Sequence, residues 1–312
     1  MAIGTIYKLD KVVMPTSVEF SQIRSMRWMA GGSPLTERPA GHPHPMFLGV
    51  QGVKPALEFV TSELDVLLAA IGVGGAAVGS TATYFKAGAA TGSVARATTS
   101  HQKITITTSL GYWSSIRLSH NGVSEATVML QAIYDGTNDP FVYAATQALS
   151  GNLGVGTYFG AGPVSVNGTS LTGVQEITID SGVRLIQAGD ASEEFDTFIG
   201  VETTEPVVTI KFMNQINWTT IGLRGLALNG STGLVFYARK YKASAAGTFS
   251  GGTRVANATA EHIKFIGLNG VASPVDSNGQ QSSPTTDTIQ FRLSSASDSV
   301  VPLTGTVSSA IT

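Results

Sequence analysis

The sequence predicts a mainly β protein made of a tandem duplicated domain, each unit a β-sandwich or barrel with one flanking helix. Three observations predict this fold class. Apolar and polar residues alternate with a period of two over several short segments, which buries one face of a strand and leaves the other in water. One segment of the first half carries apolar residues at helical spacing instead. An ordered series of residues recurs at a nearly constant distance along the chain.

The repeat consists of residues of the same type that follow one another in the same order in both halves. The matched pairs, in chain order, are Gly49 and Gly200, Pro55 and Pro206, Gly72 and Gly222, Phe85 and Phe236, His101 and His262, and Thr127 and Thr288. The offset is 150 or 151 for the early pairs and 161 for the last two, so the second copy contains an insertion. The predicted domains are residues 1–152 and 153–312, joined near the glycine-rich stretch 151–156.

In the first copy, the stretch from Arg24 to Pro45 has no clear period and contains several prolines and a Gly-Gly step. We expect a long loop there, and loops of this length are uncommon unless they bind something. Its counterpart in the second copy is expected around Gly182 to Asp196. The segment from Pro55 to Phe59 is predicted to be a strand that leads into the helix.

The helix is predicted over residues 64–71, where four apolar residues fall on a single helical face. Ser62 followed by Asp65 resembles a capping box, and Gly72 is expected to end the helix. The corresponding stretch from Asn214 to Ile221 contains weaker helix formers. It is assigned as a helix because it aligns with the first copy.

More strands are predicted after each helix. Residues 104–107 and 128–134 alternate in the first copy, and residues 177–179 and 289–293 do so in the second. Asn-Gly steps begin at positions 121, 229 and 269 and suit hairpin turns, because both residue types tolerate positive φ.

The composition favours a protein that buries surface against partner subunits. Hydrophobic residues make up 42% of the 312 residues and charged residues 13%, against a usual charged share of about 25%. The formal net charge of −2 argues against a protein built to bind nucleic acid, which would be far more basic. The chain has no cysteine, which excludes disulfides and thiolate chemistry.

The sequence contains no convincing catalytic, cofactor or metal site. His42-Pro43-His44 lacks the further ligands that a zinc site needs. His101 and His262 occupy matching positions and are expected to be structural. The acidic residues Glu193, Glu194, Asp196, Glu202 and Glu205 could bind a cation or line a channel from which they repel phosphates, but a solvated loop is the simpler expectation. The three tryptophans are expected to be core or interface anchors.

No membrane partner is expected. The N-terminus does not have the pattern of a signal peptide. The longest apolar run, residues 66–79, is shorter than the 18 or so residues of a membrane helix.

The pattern of each copy resembles the bacteriophage tail tube protein family, in its siphophage form with two fused tube domains per chain. The resemblance rests on Gly49, on Pro55-x-Leu57-x-Phe59 and on the helix 62–72, with second-copy counterparts at Gly200, at Pro206-x-Val208-x-Ile210 and in the stretch up to Gly222. It implies a β-sandwich with a flanking helix and a long loop. Six such domains, here from three chains, would form a ring, and stacked rings would form a tube.

As the resemblance implies, we expect a structural subunit of the phage virion, assembled in the cytoplasm of the host bacterium and located in the tail. Its partners would be further copies of itself, other tail proteins, and DNA that passes through the channel without sequence-specific binding. No enzyme activity is expected. The alternatives are another β-rich virion protein, such as a capsid decoration or baseplate component, or a module that binds a host receptor or carbohydrate.

A difference between the copies suggests a contact between subunits. Lys54 precedes Pro55, whereas Glu205 precedes Pro206. In a ring of pseudo-equivalent units, lysine and glutamate would alternate at this site, and opposite charges could select which copy meets which. Two solvated loop charges are the simpler alternative.

Overall fold

The computed structural model describes residues 6–29, 31–89, 92–151, 153, 156–191, 193–242, 253–280, 283–297 and 300–312. The first half contains β1 (Ile6–Val13), β2 (Glu19–Phe20), β3 (Ile23–Met29), β4 (Ser33–Glu37), β5 (Phe47–Gln51), β6 (Ala56–Thr61), helix α1 (Leu64–Ile71), β7 (Ala77–Ala89), β8 (Gly92–Ser93), β9 (His101–Ser119), β10 (Glu125–Ile133) and β11 (Phe141–Gln147).

The second half contains β12 (Phe159–Val166), β13 (Thr169–Leu171), β14 (Val174–Asp180), β15 (Val183–Gly189), β16 (Asp196–Thr204), β17 (Val207–Phe212), helix α2 (Asn217–Ile221), β18 (Leu226–Leu228), β19 (Leu234–Lys240), β20 (His262–Gly267), β21 (Asn269–Gln280), β22 (Ser283–Ser294) and β23 (Leu303–Ser309). The protein is therefore mainly β, as predicted, with large antiparallel sheets that are consistent with a β-sandwich.

Nine strands form a continuous path through both halves, in the order β18-β21-β22-β17-β14-β9-β10-β6-β3, which we call the long sheet. A second layer lies against it. In the second half this layer is a separate five-stranded sheet, β13-β12-β19-β20-β23. In the first half, β1, β2, β7, β8 and β11 stay connected to the long sheet, because the uninterrupted β9 pairs with β7 and β11 as well as with β10.

The strand pairings of the first half recur in the second. The pairs β1–β7, β3–β6, β6–β10, β9–β10 and β9–β11 correspond in order to β12–β19, β14–β17, β17–β22, β21–β22 and β20–β23. The irregularities match as well, because the shift between Ile23 and Ser25 recurs between Val174 and Glu176, at an offset of 151. This recurrence supports the predicted tandem duplication, which stays a hypothesis.

The hydrophobic core fills the space between the long sheet and the second layer. Phe20 and Phe59 pack with ring centroids 5.5 Å apart in the first half, and Phe236 and Phe265 stack at 4.8 Å in the second. All four rings are fully buried. Each such side chain contributes about 1.5–3 kcal/mol through removal from water.

Helix α1 lies where the period of the apolar residues predicts it, and its core-facing leucines and isoleucine are buried. The predicted capping box is wrong, because the helix begins after Glu63 and no side chain caps it. Gly72 ends the helix as predicted, with φ +66° and its N–H on the Leu68 carbonyl. Helix α2 is shorter than its predicted segment and ends at Gly222 in the same way.

The predicted long loop from Arg24 to Pro45 is wrong. This stretch contains β3 and the first strand of the hairpin β4–β5, and its counterpart in the second half is the hairpin β15–β16. Pro34 lies in β4, which pairs only with β5 in the described part of the chain, so its missing N–H can point to solvent.

The three Asn-Gly steps that were predicted to form hairpin turns have different structures. Asn121-Gly122 forms the predicted turn, between β9 and β10. Asn229-Gly230 leads into a short 3-10 turn before β19. Asn269-Gly270 begins β21, so the predicted hairpin turn is wrong there. The predicted linker falls partly on residues 152, 154 and 155, which lie outside the described residues.

His101 and His262 have the same structural role in the two halves. Both side chains are fully buried. The Nδ1 atom of His101 accepts the N–H of Ala87 at 3.0 Å, and its Nε2 lies 2.9 Å from the carbonyl oxygen of Ala95. His262 joins Lys240 N–H and the Ala256 carbonyl in the same manner, at 3.1 and 3.0 Å. Each ring therefore ties its strand to the loop before it.

We expect His101→Ala to destabilise the chain by about 2–4 kcal/mol, because it removes a fully buried ring and leaves the N–H of the buried Ala87 without a partner. His262→Ala should cost a similar amount. The control is His42→Ala in an exposed loop, which should change stability by less than about 0.5 kcal/mol. Urea denaturation followed by circular dichroism measures the three differences. A His101 variant as stable as the His42 variant would contradict the structural role.

Candidate assembly interface

The two halves are joined by antiparallel pairing between β9 and β14 in the middle of the long sheet. Glu176 lies opposite Ser119, and Asp180 lies opposite Ser115. Between these ends, Ile116 and Ile179 face each other and are fully buried. This pairing is the first of three contacts between the halves that we group under the name internal junction.

The second contact is made by the loop that follows α1. The Gly72 carbonyl accepts a hydrogen bond from Nε1 of Trp113 at 3.1 Å, which fixes the start of the loop. Val73 then packs onto β23, and a Cβ atom at Gly305 would lie only 2.6 Å from its Cγ2 atom. Leu303 borders the same contact. Glycine at position 305 therefore provides the space that Val73 occupies.

The third contact is made by the base of the hairpin β15–β16. Phe195 forms a parallel bridge with Val53, and its ring centroid lies 6.0 Å from that of Tyr134. The carbonyl of Asp196 accepts the N–H of Tyr134 at 2.9 Å. The Lys54 amine lies 3.0 Å from the carboxylate of Asp196. Lys54, one of the two predicted interface residues, is thus at the internal junction.

Glu205, the other predicted interface residue, has an exposed side chain. Its main-chain N–H donates to the Gly182 carbonyl at 3.2 Å. The predicted alternation of Lys54 and Glu205 concerns contacts between chains, so it stays a prediction.

The internal junction occurs once in the chain, yet both halves carry the strands from which it is made. The counterpart of β14 is β3, which in the described residues pairs only with β6 and leaves its other edge open. The counterpart of the second half of β9 is β21, and β18 covers its outer edge only at residues 270–272. Apart from the short β18, the long sheet therefore ends at two strands, β21 and β3, that correspond to the two that meet inside the chain.

An apolar groove lies beside β3. It is lined by Trp28, Met29, Ile104, Phe141 and Tyr143, and the name apolar groove refers to this surface below. Trp28 packs edge-on against Phe141 with centroids 4.9 Å apart, and 57% of Tyr143 is exposed.

The side chains of the long sheet that point away from the core are mostly polar. Those with a charge are Arg27, Glu58, Arg117, Glu125, Glu176, Asp180, Lys211, Asp276 and Arg292. The two signs are nearly balanced, and Glu176 is paired with both Arg117 and Lys211. We call this the polar face.

The two long hairpins carry exposed apolar residues. In β4–β5 and its connecting loop these are Met46, Phe47, Leu48 and Val50, and in β15–β16 they are Ile186, Phe198 and Val201. Both hairpins form separate two-stranded sheets. Apolar side chains on isolated hairpins are typical of surfaces that are covered by another molecule.

The other candidate residues are not brought together. His42 and His44 lie in the exposed turn of the first hairpin. Glu193, Glu194 and Glu202 are exposed, whereas Asp196 faces Lys54. In the described ranges, no three histidine or acidic side chains are placed to share a metal ion. Trp113 is a core residue and Trp218 packs on Phe212, as expected for anchors.

The sequence did not reveal the open edge of β3. The strand itself could have been detected, because the polar Ser25 and Arg27 alternate with the apolar Met26 and Trp28. The neighbouring prolines and glycines concealed this alternation.

In the part of the chain that is described, no helix is long and apolar enough to cross a membrane.

Glu176 links the two halves electrostatically. Burial would raise the pKa of its carboxyl, but hydrogen bonds from Arg117 and Lys211 and the positive charges of both residues outweigh burial and hold the pKa below its ordinary value. The Arg117 Nε donates at 2.8 Å, and Lys211 donates at 3.1 Å.

Because the folded-state pKa is depressed, Glu176 stabilises the fold above the unfolded-state pKa of about 4.3. This stabilisation is lost as the pH falls through the lower folded-state value. We expect Glu176→Gln to cost about 0.5–1 kcal/mol at pH 7, and the cost to shrink towards zero near pH 3. Urea denaturation of both proteins at the two pH values measures the effect. A difference that does not change with pH would contradict it.

Comparison with known protein families and with curated proteins finds no match to this chain.

Proposed function

We propose that this protein is a structural subunit of a phage tail tube, which assembles as a ring of three chains with six pseudo-equivalent units around a channel for DNA. The observation that carries the proposal is the recurrence of the internal junction's partners at the two ends of the long sheet. A second copy could pair its β21 with β3 as β9 pairs with β14.

Such a contact is heterologous, since different strands of the two chains meet. Heterologous contacts produce closed rings when the rotation closes and open filaments when it does not. Unpaired strand edges also invite uncontrolled association, and pairing in a ring removes them. The number of three chains comes from the resemblance to tail tube proteins.

The polar face suits the wall of such a channel. Its charges of both signs are nearly balanced, and Glu176 pairs with Arg117 and Lys211, so the wall would neither bind the phosphates of DNA tightly nor repel them strongly. The chain requires no cofactor for this role. The exposed apolar hairpins would lie between stacked rings or between neighbouring chains and meet other tail proteins at the ends of the tube.

Light scattering coupled to size-exclusion chromatography, with negative-stain electron microscopy, tests the proposal. We expect particles of three times the 32.3 kDa chain mass, seen as six-lobed rings or as hollow rods built from them. Monomers across all salt and protein concentrations would overturn it and favour a receptor- or carbohydrate-binding module. Assembly only in the presence of a capsid lattice would favour a decoration protein.

A further inference from the structure

We propose that Leu223 of one chain inserts into the apolar groove of the next chain. This inference rests on the proposed ring and names one contact within it. It starts from the second contact of the internal junction, where Val73 packs against Gly305.

Leu223 is the counterpart of Val73. Each residue directly follows the glycine that ends its helix, and these glycines have similar φ angles of +66° at Gly72 and +73° at Gly222. Val73 is partly buried and packs on the core. Leu223 has the same place in the second half but is 79% exposed, more than any other large hydrophobic residue that the structure describes.

The apolar groove is the counterpart of the surface that receives Val73. Strand β11 corresponds to β23, because β11 pairs with β9 as β23 pairs with β20. Tyr143 lies opposite Ile104, and Gly305 lies opposite Phe265, so Tyr143 corresponds to Gly305. By the same register, Phe141 corresponds to Leu303.

The larger side chain lies on the inner strand in one surface and on the outer strand in the other. The surface that receives Val73 has a phenylalanine at position 265 and no side chain at 305. The apolar groove has the smaller Ile104 beside the larger Tyr143. Both surfaces are thus apolar, and the groove carries its aromatic ring on the outer strand. An exposed ring at this place can pack against an incoming leucine.

One chain cannot make this contact with itself. Leu223 lies just before β18, at one end of the long sheet, whereas the groove lies beside β3, at the other end. The occupant is therefore a second copy of the chain. The contact would lie next to the pairing of β3 with β21, as Val73 lies next to the pairing of β14 with β9.

Two measurements on the full-length chain test the inference. Leu223→Asp should raise the dissociation constant for ring assembly about 100-fold or more, measured by sedimentation velocity, because it places a carboxylate in an apolar contact. Val142→Asp is the matched control. This residue is 47% exposed and precedes Tyr143 on the opposite face of β11, so assembly should change by less than about threefold.

The second measurement is disulfide formation in a chain that has no cysteine of its own. Leu223→Cys with Tyr143→Cys should give a disulfide between chains under oxidising conditions. Val73→Cys with Gly305→Cys should give one within the chain and no change in mass. Normal ring assembly of the Leu223→Asp chain, together with no disulfide between chains in the Leu223→Cys, Tyr143→Cys protein, would overturn the inference without contradicting the proposed ring. If the wild-type chain never assembles, both proposals fail.

Discussion

Cysteines placed at Arg27 and Asn278 are expected to link neighbouring chains into covalent trimers. The register of the internal junction dictates this pair. Thr178 lies opposite Arg117 where β14 meets β9. Arg27 takes the place of Thr178, because both strands carry the same irregularity at an offset of 151. Asn278 takes the place of Arg117, because the shift in the β9–β10 pairing recurs in β21–β22 at an offset of 161.

Non-reducing gel electrophoresis measures the result. Mild oxidation should convert most of the Arg27→Cys, Asn278→Cys chain to linked dimers and trimers, and a reductant should return it to monomer. Wild-type protein provides a clean background because the chain has no cysteine. The yield should be high, because directly opposite residues of antiparallel strands have Cβ atoms about 4.5–5.5 Å apart, close to the distance that a disulfide spans.

Two control pairs test the register. Arg117→Cys with Thr178→Cys should link within one chain, since these residues are opposite each other in the internal junction. Arg27→Cys with Ser273→Cys moves one cysteine five positions along β21, a displacement of about 16 Å, and should not link. Equal disulfide yields for the Ser273→Cys and Asn278→Cys pairs would indicate random collision of chains and not strand pairing. A gel that shows only monomers would contradict the contact between β3 and β21.

The sequence predicted the local elements better than their partners. Residues 64–71 form a helix because their apolar residues share one face, and Gly72 ends it. These features depend on neighbours in the chain, which periodicity can detect. The meeting of β9 with β14 depends on residues about 60 positions apart, and no local pattern encodes it. The repeat offered an indirect signal, since it predicted that each half carries the same strands.

The apolar groove could not be predicted for a related reason. Trp28, Ile104 and Phe141 come from three strands that are far apart in the sequence. Each residue alone fits a core position equally well. Only the register of β11 against β9 shows that Tyr143 and Ile104 are neighbours. The hairpin β4–β5 escaped detection because both of its faces are largely exposed, so apolar and polar residues do not alternate.

A pair of glycines that the repeat aligns should prove among the least replaceable residues of the chain. Gly31 and Gly182 are 151 positions apart and have φ angles of +71° and +61°. A Cβ atom at Gly31 would lie 2.0 Å from the carbonyl oxygen of Lys54, and one at Gly182 would lie 2.0 Å from that of Glu205. The main chain at the two predicted interface residues is thus held against a glycine in both halves.

We expect Gly182→Ala to destabilise the protein by about 3 kcal/mol or more, and Gly31→Ala to do the same. Alanine is strained at positive φ, and its methyl group cannot avoid the carbonyl unless the backbone moves. Gly168→Ala separates the two causes, because Gly168 has φ +81° but nothing within 4 Å of its Cβ position. It should cost only the strain of about 1 kcal/mol. Urea denaturation of the three variants measures these costs. Equal losses at positions 168 and 182 would show that backbone strain alone matters, and that the close approach to Glu205 contributes nothing.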